Sequence, residues 1–168
     1  MIATGARAHH PIVPGLAEAG FLTNETVFEL TELPRRLAVV GAGPIGCELA
    51  QAFRRLGSEV TLFHSGGHIL NREDADAAGI VQRAFVDEGV HLALDARLTR
   101  VERSAEGKVL YCETPRGPLR VAVDEILVKT HQTDTDKIET IIRLVDGSLD
   151  IGEFHVCAKH HARSRVEA

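Results

Sequence analysis

No stretch of this chain approaches the ~20 consecutive apolar residues that a helix needs to cross a bilayer. The opening Met1-Ile2-Ala3-Thr4-Gly5 also lacks the charged and apolar regions of a signal peptide, so no membrane association is expected and the chain reads as cytoplasmic. Cysteine is scarce. Cys47, Cys112 and Cys157 are odd in number, widely separated and in no C-x-x-C pair, which argues against a disulfide framework or a redox pair and leaves free buried thiols as the expectation. Excess positive charge is missing too: 19 Lys and Arg against 24 Asp and Glu give a net charge of −5, which makes nucleic acid an unpromising partner. There is no G-x-S-x-G nucleophile elbow, no G-x-x-x-x-G-K phosphate loop, no internal repeat and no low-complexity segment. What remains is a globular composition, 44% hydrophobic and 26% charged. Its 168 residues suit one α/β domain, alone or with an appendage, where an enzyme holding two cofactors would normally be larger.

Residues 1–33 read as a tether, because His9-His10-Pro11-Ile12-Val13-Pro14-Gly15 cannot continue a helix and both prolines favour extended backbone. A short helical turn is expected at 24–30, capped by Thr23. Leu37 to Val40 form a compact apolar run ending in glycine, the pattern of a strand buried on both faces of a parallel sheet. Ile45, Leu49, Phe53 and Leu56 then recur at helical spacing, with Gly57 as the stop. Val60 to Phe63 predicts a second strand, 71–87 a second helix with Ile80, Val81, Ala84 and Phe85 on its inner face, and Val90 to Leu94 a third strand. Three short alternating segments follow at 98–103, 108–114 and 119–123, separated by Glu106-Gly107 and Pro115-Arg116-Gly117, and predict an antiparallel meander. Ile126 to Val128 returns as a buried strand. The fold class is thus α/β, a Rossmann-like parallel sheet with an antiparallel three-stranded β-meander, plus an unrelated C-terminal tail. In that tail, 129–168, Ile138, Ile141, Ile142 and Val145 fit a helical stripe opened by Asp136 and closed by Asp146-Gly147, and a strand is expected through Phe154-His155-Val156.

Gly41-Ala42-Gly43-Pro44-Ile45-Gly46 is G-x-G-x-x-G, set between that buried strand and that amphipathic helix. Each glycine answers a separate steric need: Gly41 for the tight turn, Gly43 for close approach of a pyrophosphate, Gly46 for packing of helix on strand. Free amides and the dipole at the helix start then suit phosphate. A lone motif of this kind is weak evidence, but the βαβ context supports it and predicts a nucleotide-binding domain over 34–128. The residue about 20 positions on, at the tip of the second strand, ordinarily contacts the adenosine ribose. Here it is His64, followed by Ser65-Gly66-Gly67-His68. A carboxylate would favour NAD and repel a 2′-phosphate; a histidine does not, and if protonated it would attract one. The nearest arginine, Arg72, falls at the expected start of the second helix, so preference between NAD and NADP stays open.

Residues 2 to about 128 resemble the pyridine nucleotide-disulfide oxidoreductases, especially the dihydrolipoamide dehydrogenase and mercuric reductase-like branch. Ile2-Ala3-Thr4-Gly5-Ala6-Arg7 is similar to the segment leaving the flavin domain, Gly41 to Gly57 to the nicotinamide-cofactor fingerprint, and Asp124-Glu125-Ile126-Leu127-Val128 to the strand leading back to the flavin domain. The resemblance implies a domain that binds NAD(P)H and presents hydride to FAD, with Gly41, Ala42, Gly43, Pro44, Ile45, Gly46, Glu48, His64 and Ser65 at the cofactor site. Glu48 matches a glutamate that, in the family, pairs near the flavin with a lysine of the flavin domain.

The departures set the remaining expectations. Neither the family's FAD fingerprint nor its C-x4-C pair occurs in these residues, and Lys129-Thr130-His131 stands where T-G-R is expected. FAD is therefore not expected on this chain alone, nor are catalytic residues or disulfide reductase activity. The favoured reading is an NAD(P)H-binding domain, truncated from a flavoprotein reductase. An alternative is an oxidoreductase subunit acting with a flavin-carrying partner chain; either a homodimer or such a partner is expected to cover apolar surface. A third reading takes His155, Cys157, His160 and His161 as a metal-binding module, although their spacing fits no standard zinc finger.

Overall fold

The structure, a computed structural model, describes residues 11–129. The 2–7 segment, the tail helix and strand, Cys157 and the His155 to His161 cluster lie outside the described residues.

The core is a four-stranded parallel sheet in the order β3-β2-β1-β7, built from β1 (Arg36–Val40), β2 (Glu59–Phe63), β3 (His91–Ala93) and β7 (Glu125–Val128). Alternate residues of each strand feed two separate cores, as the two-residue period of a strand requires. Leu37, Val39, Val60, Leu62 and Leu127 join one core with α2 (Pro44–Leu56) and Phe85 of α3 (Ala75–Asp87). Ala38, Phe63, Ile126 and Val128 join the other, shared with the meander β4 (Arg97–Ser104), β5 (Gly107–Thr114) and β6 (Gly117–Val123). Helices therefore cover one face of the sheet and an antiparallel sheet the other. The central strand β5 contributes Val109, Leu110 and Cys112, all at most 2% exposed. The outer edge of the meander is laced with ion pairs, Arg97 to Glu113 and Arg120 to Glu106, both solvent-exposed. A more buried pair, Lys108 to Glu125 at 2.6 Å, joins the meander to β7.

The stretch expected as a tether is built into this core at three places. Leu16 and Ala19 of α1 (Leu16–Ala19) are buried in the meander-side core. Leu22 continues the parallel sheet beyond β7, its N–H donating to Ile126 O at 2.7 Å and its carbonyl accepting from Val128 N at 2.8 Å. A 3-10 turn at Thr26–Glu29 follows, with Thr23 Oγ1 accepting from the amides of Glu25 and Thr26, as its expected capping role requires.

Two helical faces differ from expectation. On α2 the residues against the sheet are Gly46, Cys47 and Ala50, with Leu49 and Phe53 packed behind them, while Ile45 and Leu56 are exposed, Leu56 by 67%. Small side chains let the helix come close to β1, and Ile45 and Leu56 lie about 125–145° round the helix from the centre of that stripe. On α3 the inward stripe is Ala78, Val81 and Phe85, and Ile80 points outward at 62% exposed. This helix also starts four residues later than expected, at Ala75, after the N-cap Asp74, whose carboxylate accepts from the amides of Asp76 and Ala77. Asp74→Ala should lower stability by about 1 kcal/mol, read as a fall in the thermal midpoint; an unchanged midpoint would remove the cap from the account of this helix.

Candidate functional site

Strand β1 ends at Val40, and the chain turns at Gly41 with φ 111°, a left-handed conformation that L side chains rarely adopt. The Gly41 N–H donates to Phe63 O at 2.9 Å, which fixes the turn against the end of β2. Gly43 is the N-cap of α2, with Pro44 in the first turn and no side-chain cap. The first amides of an α-helix have no partner inside it, so those of Ile45 and Gly46 depend on a ligand or water. Space above this helix start is open: a Cβ built at Gly43 meets nothing within 4 Å. Gly46 is the opposite case, for its Cβ would overlap the carbonyl oxygen of Gly41 and lie 3.1 Å from the carbon. One glycine thus leaves room outside the fold and the other lets helix and turn meet within it.

Cys47 sits directly beneath the turn, its thiol 3.5 Å from Ala42 O. Burial, helped by the charge of Glu48, pushes its pKa up to about 11, so at neutral pH it is a protonated, inert thiol. Cys112, buried in the meander, is raised to about 11 by burial alone. Ala42 O accepts a second bond, from Leu70 N at 2.8 Å, and this closes the loop after β2 onto the glycine turn. Nothing in the sequence pattern signalled that clasp; Leu70 reaches it with φ 52°, in the left-handed region.

His64 lies at the tip of β2, its backbone held by bonds to Ala93 O and from Ala96 N, each 2.9 Å. Its Nε2 is buried and has no hydrogen-bond partner among the described residues. Gly66 covers it so closely that a Cβ there would stand 2.9 Å from Nε2. Burial lowers the pKa of His64, the neighbouring His68 adds to the effect and Asp95 opposes it, so the ring is neutral at pH 7. Glu48, one turn into α2, and Ser65, just past His64, are both exposed. The sheet's carboxyl edge also carries Lys129, whose N–H donates to Val40 O at 2.8 Å. These residues fit a dinucleotide, in that an uncapped helix start and an open glycine stand together at one edge of the sheet. Among the described residues no group of His, Cys, Asp or Glu is placed to hold a metal ion, and no helix is long and apolar enough to cross a membrane.

Known proteins resemble this chain in sequence and in fold. The chain is 37% identical over 139 residues to a mercuric reductase of Lysinibacillus sphaericus, covering 82% of this chain and 26% of that protein. It is 38% identical over 109 residues to an NAD(P)H dehydrogenase (quinone) of Mycobacterium tuberculosis, covering 64% of this chain and 22% of that one. Among solved structures it superposes on the HOCl-induced flavoprotein disulfide reductase RclA of Escherichia coli with a TM-score of 0.69 and 31% identity, over 76% of this chain and 29% of that chain. The chain thus spans about a quarter of the length of the curated relatives it matches. Residues 1–141 match the pyridine nucleotide-disulphide oxidoreductase family, and on that match, with the parallel sheet, glycine turn and meander in sequence order, the chain belongs to that family.

Proposed function

We propose that residues 34–128 form the NAD(P)H-binding domain of a flavin-dependent pyridine nucleotide-disulfide oxidoreductase. The observation that carries this reading is the open space over Gly43 at an uncapped helix start, where the amides of Ile45 and Gly46 point at a site for pyrophosphate. Gly41, Ala42 and Pro44 shape that turn, His64 and Ser65 line the adenosine end, and Glu48 faces the side on which a flavin would approach. A reduced nicotinamide bound here would supply hydride, and this chain's part is to hold and orient it toward a flavin carried outside residues 34–128. The domain alone is proposed to be non-catalytic and cytoplasmic, working as a homodimer or against a flavin-domain partner. Exposed Leu56, Ile80 and Val86 support association of some kind.

Calorimetric titration with NADH and NADPH tests the reading directly: one or both should bind with 1:1 stoichiometry, and no binding at millimolar concentration would end it. Selectivity in the wild type should be weak at pH 7, because a neutral His64 neither repels nor attracts a 2′-phosphate strongly. Protonation below the ordinary histidine range adds a charge-assisted contact, so the NADPH to NADH affinity ratio should be flat above about pH 6.5 and rise only below it. His64→Glu should shift preference toward NADH by about tenfold to a hundredfold, the size of a charged hydrogen bond of ~1.5–3 kcal/mol. An unchanged ratio in that variant would take His64 out of the site.

A further inference from the structure

We infer that Lys129 makes this site prefer the reduced dinucleotide to the oxidised one, an inference that rests on the dinucleotide reading above. Three residues occupy equivalent places at the carboxyl edge of the sheet. Val40 is the register partner of Phe63 on one side and of Val128 on the other. The residues that follow are Gly41 in the centre, His64 at the β2 side and Lys129 at the β7 side, tied to the centre by the bonds Gly41 N to Phe63 O and Lys129 N to Val40 O. In open α/β sheets the ligand crevice lies outside the strand ends where the connections change direction, here between β1 and β7, because β1 leads through α2 to β2 on the far side. With phosphates on the central turn and the adenosine at the β2 side, the nicotinamide half of the ligand extends over β7 and Lys129.

The side chain is on the correct face. Leu127 belongs to the helix-side core and Ile126 and Val128 to the meander side, so strand alternation puts Lys129 on the helix side of the sheet. Its Nζ reaches Asn24 Oδ1 at 3.4 Å, on the loop before the 3-10 turn whose Val27 lies in that same helix-side core. That partner is neutral, and no carboxylate among the described residues forms an ion pair with Lys129. Among the described residues the positive charge of Lys129 is thus not neutralised by a carboxylate, and it stands at the β7 side of the edge that also carries the positive end of the α2 dipole. The oxidised and reduced cofactors differ there in one respect that electrostatics can read: the oxidised ring is a cation and the reduced ring is neutral. Screened repulsion between unit charges at a protein surface corresponds to about a tenfold difference in affinity. A site biased in this way takes up the hydride donor and sheds the spent ring.

The test is calorimetry on the 168-residue chain at low ionic strength with NADH, NAD+ and ADP-ribose, or with the phosphorylated pair where that binds better. NADH should bind about tenfold tighter than NAD+, and K129M should erase the difference by tightening NAD+. ADP-ribose, which lacks the nicotinamide ring, should bind wild type and K129M equally. K129R, which keeps the charge, should keep the preference, and N24D, which supplies the ammonium with a carboxylate, should reduce it. A ratio of NADH to NAD+ affinity that survives K129M overturns the inference and leaves dinucleotide binding standing. ADP-ribose weakened by K129M as much as NADH overturns it in another way, by assigning the charge to the phosphates. Failure of all three ligands to bind overturns this inference and the dinucleotide reading together.

Discussion

Gly43→Val should cost the protein its dinucleotide and leave the fold nearly intact. A Cβ at Gly43 meets nothing within 4 Å, and its φ of −76° and ψ of 179° lie in the extended region that β-branched residues favour, so the backbone accepts valine without strain. Valine is a poorer N-cap than glycine, at a cost of about 1 kcal/mol, which lowers the thermal midpoint by roughly 4–8 °C in a domain of this size. The ligand loses far more. The isopropyl group fills the space the pyrophosphate needs and shields the amides of Ile45 and Gly46, so affinity for NADH or NADPH should fall by more than about a hundredfold, the equivalent of two charge-assisted hydrogen bonds. Thermal melting and calorimetry on the same preparation check both halves. A variant that melts normally and still binds within threefold of wild type would mean that the phosphates sit elsewhere.

Most of the fold was legible in the sequence because it is written in local terms. β-branched and apolar runs between glycines mark β1, β2 and β7, the alternation in β4 to β6 marks the meander, and Gly57 stops α2 where its left-handed φ of 111° requires a residue without a side chain. What could not be read is set by pairing across the chain. Ile45 and Leu56 satisfy a helical period as well as the residues that are in fact buried, and the close approach of α2 to β1 at Gly46 decides which side of α2 faces inward. Leu22 joins the sheet through bonds to Ile126 and Val128, more than 100 positions away, and nothing within five residues of it signals a strand. The same division runs through the candidate site. The glycine turn and the place of His64 at a strand tip follow from spacing, whereas the covering of its ring by Gly66 and the standing of Lys129 beside Gly41 follow from loop closure and register.

Gly46→Val should do the reverse of Gly43→Val, unfolding the domain before it affects any ligand. The overlap it creates is with the Gly41 carbonyl, a backbone atom in a turn already pinned to Phe63 O, so no side chain can swing aside to relieve it. Relief requires α2 to move away from β1, and that movement would loosen Cys47 and Ala50 from Leu37 and Val39 in the helix-side core. Overpacking of this kind costs about 3 kcal/mol or more, a large share of the ~5–15 kcal/mol by which a domain is ordinarily stable. The thermal midpoint should fall by roughly 12 °C at least. Because the offending atom is the Cβ itself, Gly46→Ala should already produce most of that loss, with the two γ-methyls of valine adding the remainder against Val39 Cγ1, 3.8 Å from the Cβ position. Gly43→Ala, by contrast, should leave the midpoint within the small cost of an altered cap. If Gly46→Ala melts like wild type, the helix is not held at the distance described, and the steric division between the two glycines fails.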